Sequence, residues 1–108
     1  MARLDRARFR DWLAARGDRW SGDAHDGFSC PLACFLADTH GSIDYHVREL
    51  DWRPLDTGPW RPLPPWAVDF VRALDDERPF GDRDKASIKA SAALALLDAQ
   101  PRRRGRER

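Results

Sequence analysis

Trp52-Arg53-Pro54-Leu55-Asp56-Thr57-Gly58-Pro59-Trp60-Arg61-Pro62-Leu63 contains one tetrapeptide twice, with Asp56-Thr57-Gly58-Pro59 between the copies. A reversal at Gly58 lays the copies side by side, with Leu55 opposite Trp60 and Trp52 opposite Leu63. Side chains alternate faces along an extended strand, so each face of this ribbon carries one Trp and one Leu. In a small domain only one face is easily core, and the other presents an indole to solvent or to a partner. Trp and Arg are enriched at binding hot spots, which makes Trp52, Arg53, Trp60 and Arg61 the candidate partner-binding residues. The competing reading is that the prolines, which cannot donate to a ladder, make the ribbon irregular enough for both indoles to tuck into the core.

Upstream, Ile43, Tyr45 and Val47 alternate with Asp44, His46 and Arg48, the pattern of a half-buried strand. The apolar parity then shifts to Leu50 and Trp52, which places a turn or bulge near Arg48-Glu49. Before it, Cys30-Pro31 opens a short helix with Leu32, Phe35 and Leu36 as its buried stripe, Pro suiting the first helical position, and Gly41 is a natural stop. The first helix is expected from about Leu4 to Arg16, with Phe9, Trp12 and Leu13 on one face and Gly17 ending it. Trp20 is expected to pack back on that core, and residues 21–29 read as a loop.

Downstream, Pro64-Pro65 opens a helix whose Trp66, Phe70 and Leu74 recur every fourth residue, widened by Ala67 and Val71. Pro79-Phe80-Gly81 breaks it, and Asp82 or Asp84 can cap the next helix. Residues 85–99 are rich in the strong helix formers Ala and Leu. Ile88, Ala92, Ala95, Leu96 and Ala99 make one face, and Leu94 and Leu97 lie on another, so this fourth helix is central or half of a homodimer interface. The expected order is α-α-β-β-α-α: a small single α+β domain over residues 1–100, a short antiparallel ribbon packed on helices, and a basic, disordered tail over 101–108.

The 108 residues suffice for one domain with a real core. Arg outnumbers Lys 17 to two, a bias that runs through the whole chain and fits a GC-rich genome. The formal charge is +1, but the tail from Pro101 carries +4 and residues 1–100 carry −3, so the body lacks the basic footprint of a nucleic-acid binder. No apolar run approaches the ~20 residues of a membrane span. Charged residues interrupt the N-terminus, so no signal peptide is read there. Two cysteines make no disulfide framework, and a reducing cytoplasm is the expected compartment.

Cys30-Pro31-Leu32-Ala33-Cys34-Phe35-Leu36, then a strand pair, then Leu63-Pro64-Pro65-Trp66-Ala67-Val68-Asp69-Phe70-Val71, resembles a group of small uncharacterised proteins from phages and GC-rich bacteria. In that group a Pro-Leu-Ala helix is followed by a hairpin and a Leu-Pro-x-Trp-Ala helix. The resemblance covers roughly residues 9–98, and its motifs are mostly capping and core residues. It implies a fold, and a phage or mobile-element accessory role. It implies no catalytic residue.

Cys30, Cys34, His40 and His46 are all zinc-ligand types, though their spacing is much shorter than a zinc finger's; Cys30 at a helix start and Cys34 as core filler is the plainer reading. A thiol enzyme would use Cys30, whose pKa a helix N-terminus lowers, with His25 or His40 as base, but no third orienting residue is fixed. The acidic residues match no calcium loop, and no phosphate-cradling or nucleophile motif is present. Arg102, Arg103, Arg104 and Arg106 could grip phosphates. The leading expectation is a non-enzymatic, cofactor-free, cytoplasmic protein that contacts an unidentified protein, for example as a phage inhibitor of a host protein. Nucleic-acid association through the tail is the second reading, and a small zinc-binding or thiol protein the third.

Overall fold

The structure, a computed structural model, describes residues 4–24, 29–40, 44–54, 58–77 and 86–100. These residues form α1 (Arg6–Arg16), β1 (Trp20–Ala24), α2 (Pro31–Thr39), β2 (Tyr45–Val47), β3 (Asp51–Pro54), β4 (Arg61–Pro62), α3 (Pro65–Glu77), β5 (Ala86–Lys89) and α4 (Ala90–Ala99). The domain is α+β, with two small antiparallel sheets, β1–β5 and β2–β3–β4. The simpler order α-α-β-β-α-α is corrected by β1, β4 and β5. The Arg tail, His25, Gly41, Ile43, Leu55 and the break at Pro79-Phe80-Gly81 lie outside the described residues.

Three helices form for the local reasons the sequence offers. Asp5 caps α1 by accepting from the Arg8 N–H at 3.1 Å, and Gly17 ends it at φ 61° and ψ −121°, a positive-φ backbone that favours glycine. Cys30 stands at the N-cap of α2 with Pro31 in its first turn. Pro65 opens α3. Their stripes meet in one core: Phe9 and Leu13 from α1, Leu32, Phe35 and Leu36 from α2, Ala67, Phe70 and Leu74 from α3, all fully or nearly fully buried. Trp12 and Trp66 pack against its edge.

The β1–β5 sheet departs most from the sequence reading, which has a loop at 21–29 and a helix from 85. Trp20 pairs with Lys89, Gly22 with Ile88 and Asp23 with Ser87, and the register shifts between Trp20 and Gly22. The shift leaves Ser21 as an extra, fully buried residue whose hydroxyl donates to the Ile88 carbonyl at 3.0 Å. Trp20 does not join the core: it is 45% exposed, its indole N–H donating to Asp23 Oδ1 at 3.1 Å.

α4 therefore starts at Ala90, without a side-chain cap from Lys89. Its first N–H groups are satisfied from the turn after α1 instead, Ala90 donating to Arg19 O and Ser91 to Gly17 O, both at 2.8 Å. The Ser91 hydroxyl also donates to Asp18 Oδ1 at 2.8 Å. The buried stripe of α4 is Ala90, Ala93 and Leu97, whereas Ala92, Ala95 and Ala99 of the expected face are exposed. At the far end Arg10 grips Asp98 through two 3.0 Å bonds, and Arg6 donates to the Leu97 carbonyl at 3.2 Å. No described helix is long and apolar enough to cross a membrane.

Candidate functional site

The double tetrapeptide does fold back on itself. β3 and β4 pair antiparallel, and Gly58 takes φ 70° with open space around it, a conformation that favours glycine. The register differs from expectation by two residues: Trp52 stands opposite Arg61, not Leu63, and the Leu63 N–H donates to Leu50 O at 2.8 Å. A two-residue shift preserves face parity, so Trp52 and Leu63 still share the core side, and both are buried. On the other edge of β3, β2 pairs with Val47 opposite Trp52 and His46 opposite Arg53. The expected turn near Arg48-Glu49 is this hairpin's tip, closed by the Arg48 N–H donating to Asp51 O at 2.7 Å.

The four nominated partner-binding residues divide by face. Trp52 is 5% exposed and packs 6.0 Å from the Tyr45 ring, so it belongs to the core. Arg61 is exposed, its guanidinium 5.5 Å from the Trp52 ring. Burial raises the Tyr45 phenol pKa above its ordinary value, against the lowering pull of Arg61. On the opposite face lie His46, Arg53 and the half-buried Trp60. The His46 ring stands edge-on to Trp60 at 5.0 Å. The Arg53 guanidinium lies 4.6 Å from the Trp60 ring, and that of Arg48 only 3.5 Å. Arg53 Nε is buried without a hydrogen-bond partner; the adjoining indole gives the guanidinium an electrostatic partner instead.

Arg48 is the residue the sequence reading misses here. The tight turn returns Asp51 to it, and their side chains form two 2.7 Å hydrogen bonds. Trp60 is thus covered by a guanidinium that is itself oriented by a carboxylate. Farther out, Glu49 pairs with Arg72 of α3 at 3.6 Å, and Leu50 at the hairpin tip is 56% exposed. The alternation over 43–47 puts His46 on the polar side; nothing local in the sequence places Arg48 over Trp60.

The Arg48 hydrogen bond, aided by its charge, holds the Asp51 carboxyl below the ordinary carboxylate range. The pair's contribution is therefore complete above the unfolded value near ~4 and is lost as pH falls through the lower folded value. An NMR titration of the Asp51 carboxyl is expected to show a midpoint below that of an unperturbed Asp, and Arg48→Gln to move it upward. An unchanged midpoint in the variant contradicts the pairing.

The nominated metal ligands are not brought together. Cys30, at the N-cap of α2, is 7% exposed, and the Cys34 thiol lies 3.4 Å from the Ser29 carbonyl. His40 sits at the C-cap with its Nδ1 2.8 Å from the Thr39 hydroxyl, while His46 stands against Trp60 on the sheet. Among the described residues no group of three His, Cys, Asp or Glu side chains could hold a metal ion. The two cysteines form no disulfide.

The fold and this face define a small α+β domain that displays a guanidinium-stacked tryptophan on the solvent side of a three-stranded meander. Comparison with protein-family models, curated proteins and solved structures finds no match.

Proposed function

We propose that this is a non-enzymatic, cytoplasmic accessory protein that acts by contacting another protein through the outer face of the β2–β3–β4 sheet. The observation that carries the reading is Trp60, held on the face away from the core by Arg48 and Arg53. Each exposed cation–π contact contributes only ~0.5–1 kcal/mol, but together they orient the indole before a partner arrives, which reduces the ordering cost of association. A phage or mobile-element setting, with a host protein as target, rests on the sequence resemblance alone.

Affinity capture from a nuclease-treated lysate tests the reading. Trp60→Ala is expected to reduce partner recovery at least ~10-fold, as loss of a hot-spot residue does, while stability falls by only about 1–2 kcal/mol, the loss of its two cation–π contacts. Trp52→Ala is expected to lose about 3 kcal/mol of stability, because it removes a buried ring. Undiminished recovery with Trp60→Ala overturns the proposal. So does capture that nuclease abolishes, which would favour nucleic acid held by the arginine tail.

A further inference from the structure

A half-open cavity of about 320 Å³ lies between α1 and α2, lined by Arg8, Asp11, Trp12, Phe35, Thr39 and His40. It shares no residue with the sheet face. Its volume is at the small end of ligand pockets, ~300–1,000 Å³, which suits a single ring system. The Trp12 wall is fixed. Its indole N–H donates to Asp38 Oδ2 at 2.7 Å, Arg16 lies 4.8 Å over its ring, and Phe35 meets it edge-on at 5.8 Å. A wall held this way does not have to be ordered by the ligand.

Three polar groups on the rim are left over by the fold. The Arg8 side chain has no hydrogen-bond or ion-pair partner among the described residues, nor does Asp11 one helical turn away. His40 is half engaged. The Thr39 hydroxyl has one proton and donates it to the Phe35 carbonyl at 2.6 Å. In the 2.8 Å contact between Thr39 and His40 the donor must therefore be Nδ1. Neutral His40 thus carries its proton on Nδ1, and Nε2 is the acceptor.

We propose that this cavity binds a free aromatic α-amino acid whose ring carries a hydrogen-bond donor. The α-carboxylate pairs with Arg8, the α-ammonium with Asp11, the ring lies on Trp12 and Phe35, and the ring donor reaches His40 Nε2. Charge complementarity selects the zwitterion: a simple anion would face Asp11, and a simple cation would face Arg8. An aromatic side chain within a peptide carries neither charge, and so leaves both rim groups unmatched.

Protein-observed NMR titration of the full chain with L-tryptophan tests this. L-tryptophan is expected to give saturable shifts at the Trp12 indole N–H and at His40. N-acetyl-L-tryptophanamide, without the two charges, is expected to bind at least about tenfold more weakly. 1-Methyl-L-tryptophan, without the ring donor, is expected to bind more weakly than the parent amino acid. Arg8→Gln and Asp11→Asn are each expected to weaken L-tryptophan about tenfold with little change in melting temperature, since neither side chain makes a hydrogen bond among the described residues and Asp11 has only a charge interaction with Arg10. The proposal is overturned if L-tryptophan gives no saturable shift. Equal binding of the blocked compound overturns it too, as does unaltered affinity in both variants.

Discussion

Phe9→Ala is expected to remove about 3–5 kcal/mol of stability, the usual loss for a buried Phe. Phe9 is fully buried where three helices meet. Its ring contacts Phe35 of α2 at 5.3 Å and Phe70 of α3 at 5.2 Å, both edge-on, with Trp66 at 5.9 Å and Trp12 at 6.2 Å. Each such pair contributes ~0.5–1.5 kcal/mol beyond area burial, and truncation removes all four at once. The neighbours are themselves large rings spread over all three helices, so the cavity cannot readily collapse. A domain of this size has about 5–15 kcal/mol in total, so the variant should sit close to the limit of folding. Thermal unfolding followed by circular dichroism is expected to show a midpoint roughly 15–30 °C lower, at ~4–8 °C per kcal/mol. A drop under about 5 °C would mean that the helices do not converge on this ring.

The helical half of the domain was legible because its signals are local. Phe9, Trp12 and Leu13, and again Trp66, Phe70 and Leu74, repeat at the helical period beside recognisable ends at Gly17 and Pro65. The β1–β5 sheet was not legible because its reason is non-local. Ser21-Gly22-Asp23-Ala24 has no apolar alternation, and its partner strand lies more than sixty residues away in sequence. Ala86 to Lys89 adjoins a run of strong helix formers, so propensity extends the helix backward through it. Pairing with β1 overrides that propensity, and Ile88 is buried as a strand residue. Counting the α4 stripe from Ile88 then set the helical phase wrongly; counted from Ala90, the period gives Ala93 and Leu97.

At the sheet face, alternation alone separated the two indoles, because strand parity survives a two-residue change of register. It could not rank the arginines. Arg53 and Arg61 flank the tryptophans in sequence, yet the guanidinium closest to Trp60 is that of Arg48, carried there by a hairpin tip and aimed by Asp51. Spacing alone could not decide for Cys30, Cys34, His40 and His46, for which core filler and a helix start are the plainer reading. They are near in sequence, but Cys30, Cys34 and His40 belong to α2 and its caps, whereas His46 stands on the outer sheet face.

Gly22→Ala is expected to be the most damaging of the alanine changes at the described glycines. A Cβ at Gly22 would lie 2.5 Å from Pro31 N, 2.7 Å from the Cys30 carbonyl carbon and 2.7 Å from Ser29 O. All three are backbone atoms at the start of α2, so no rotamer change relieves the overlap. The Asp23 N–H donates to Ser29 O at 2.8 Å, which ties β1 to that same segment. Moving β1 outward would break this bond and carry Ser21 away from the Ile88 carbonyl, exposing a bulge that depends on its buried hydroxyl. The φ of 155° adds strain for any L side chain. Overpacking against movable side chains costs about 1–3 kcal/mol, and against fixed backbone the expected loss is larger, about 4 kcal/mol or more. Urea unfolding is expected to show a much lower midpoint, and amide exchange in β1 and β5 to rise before that in α1 and α3. Ala at Gly17, where a Cβ meets nothing within 4 Å, is expected to lose less, about 1–3 kcal/mol from backbone strain alone at its positive φ. If the two alanine variants prove equally stable, the close approach of β1 to α2 is not what holds the second sheet in place.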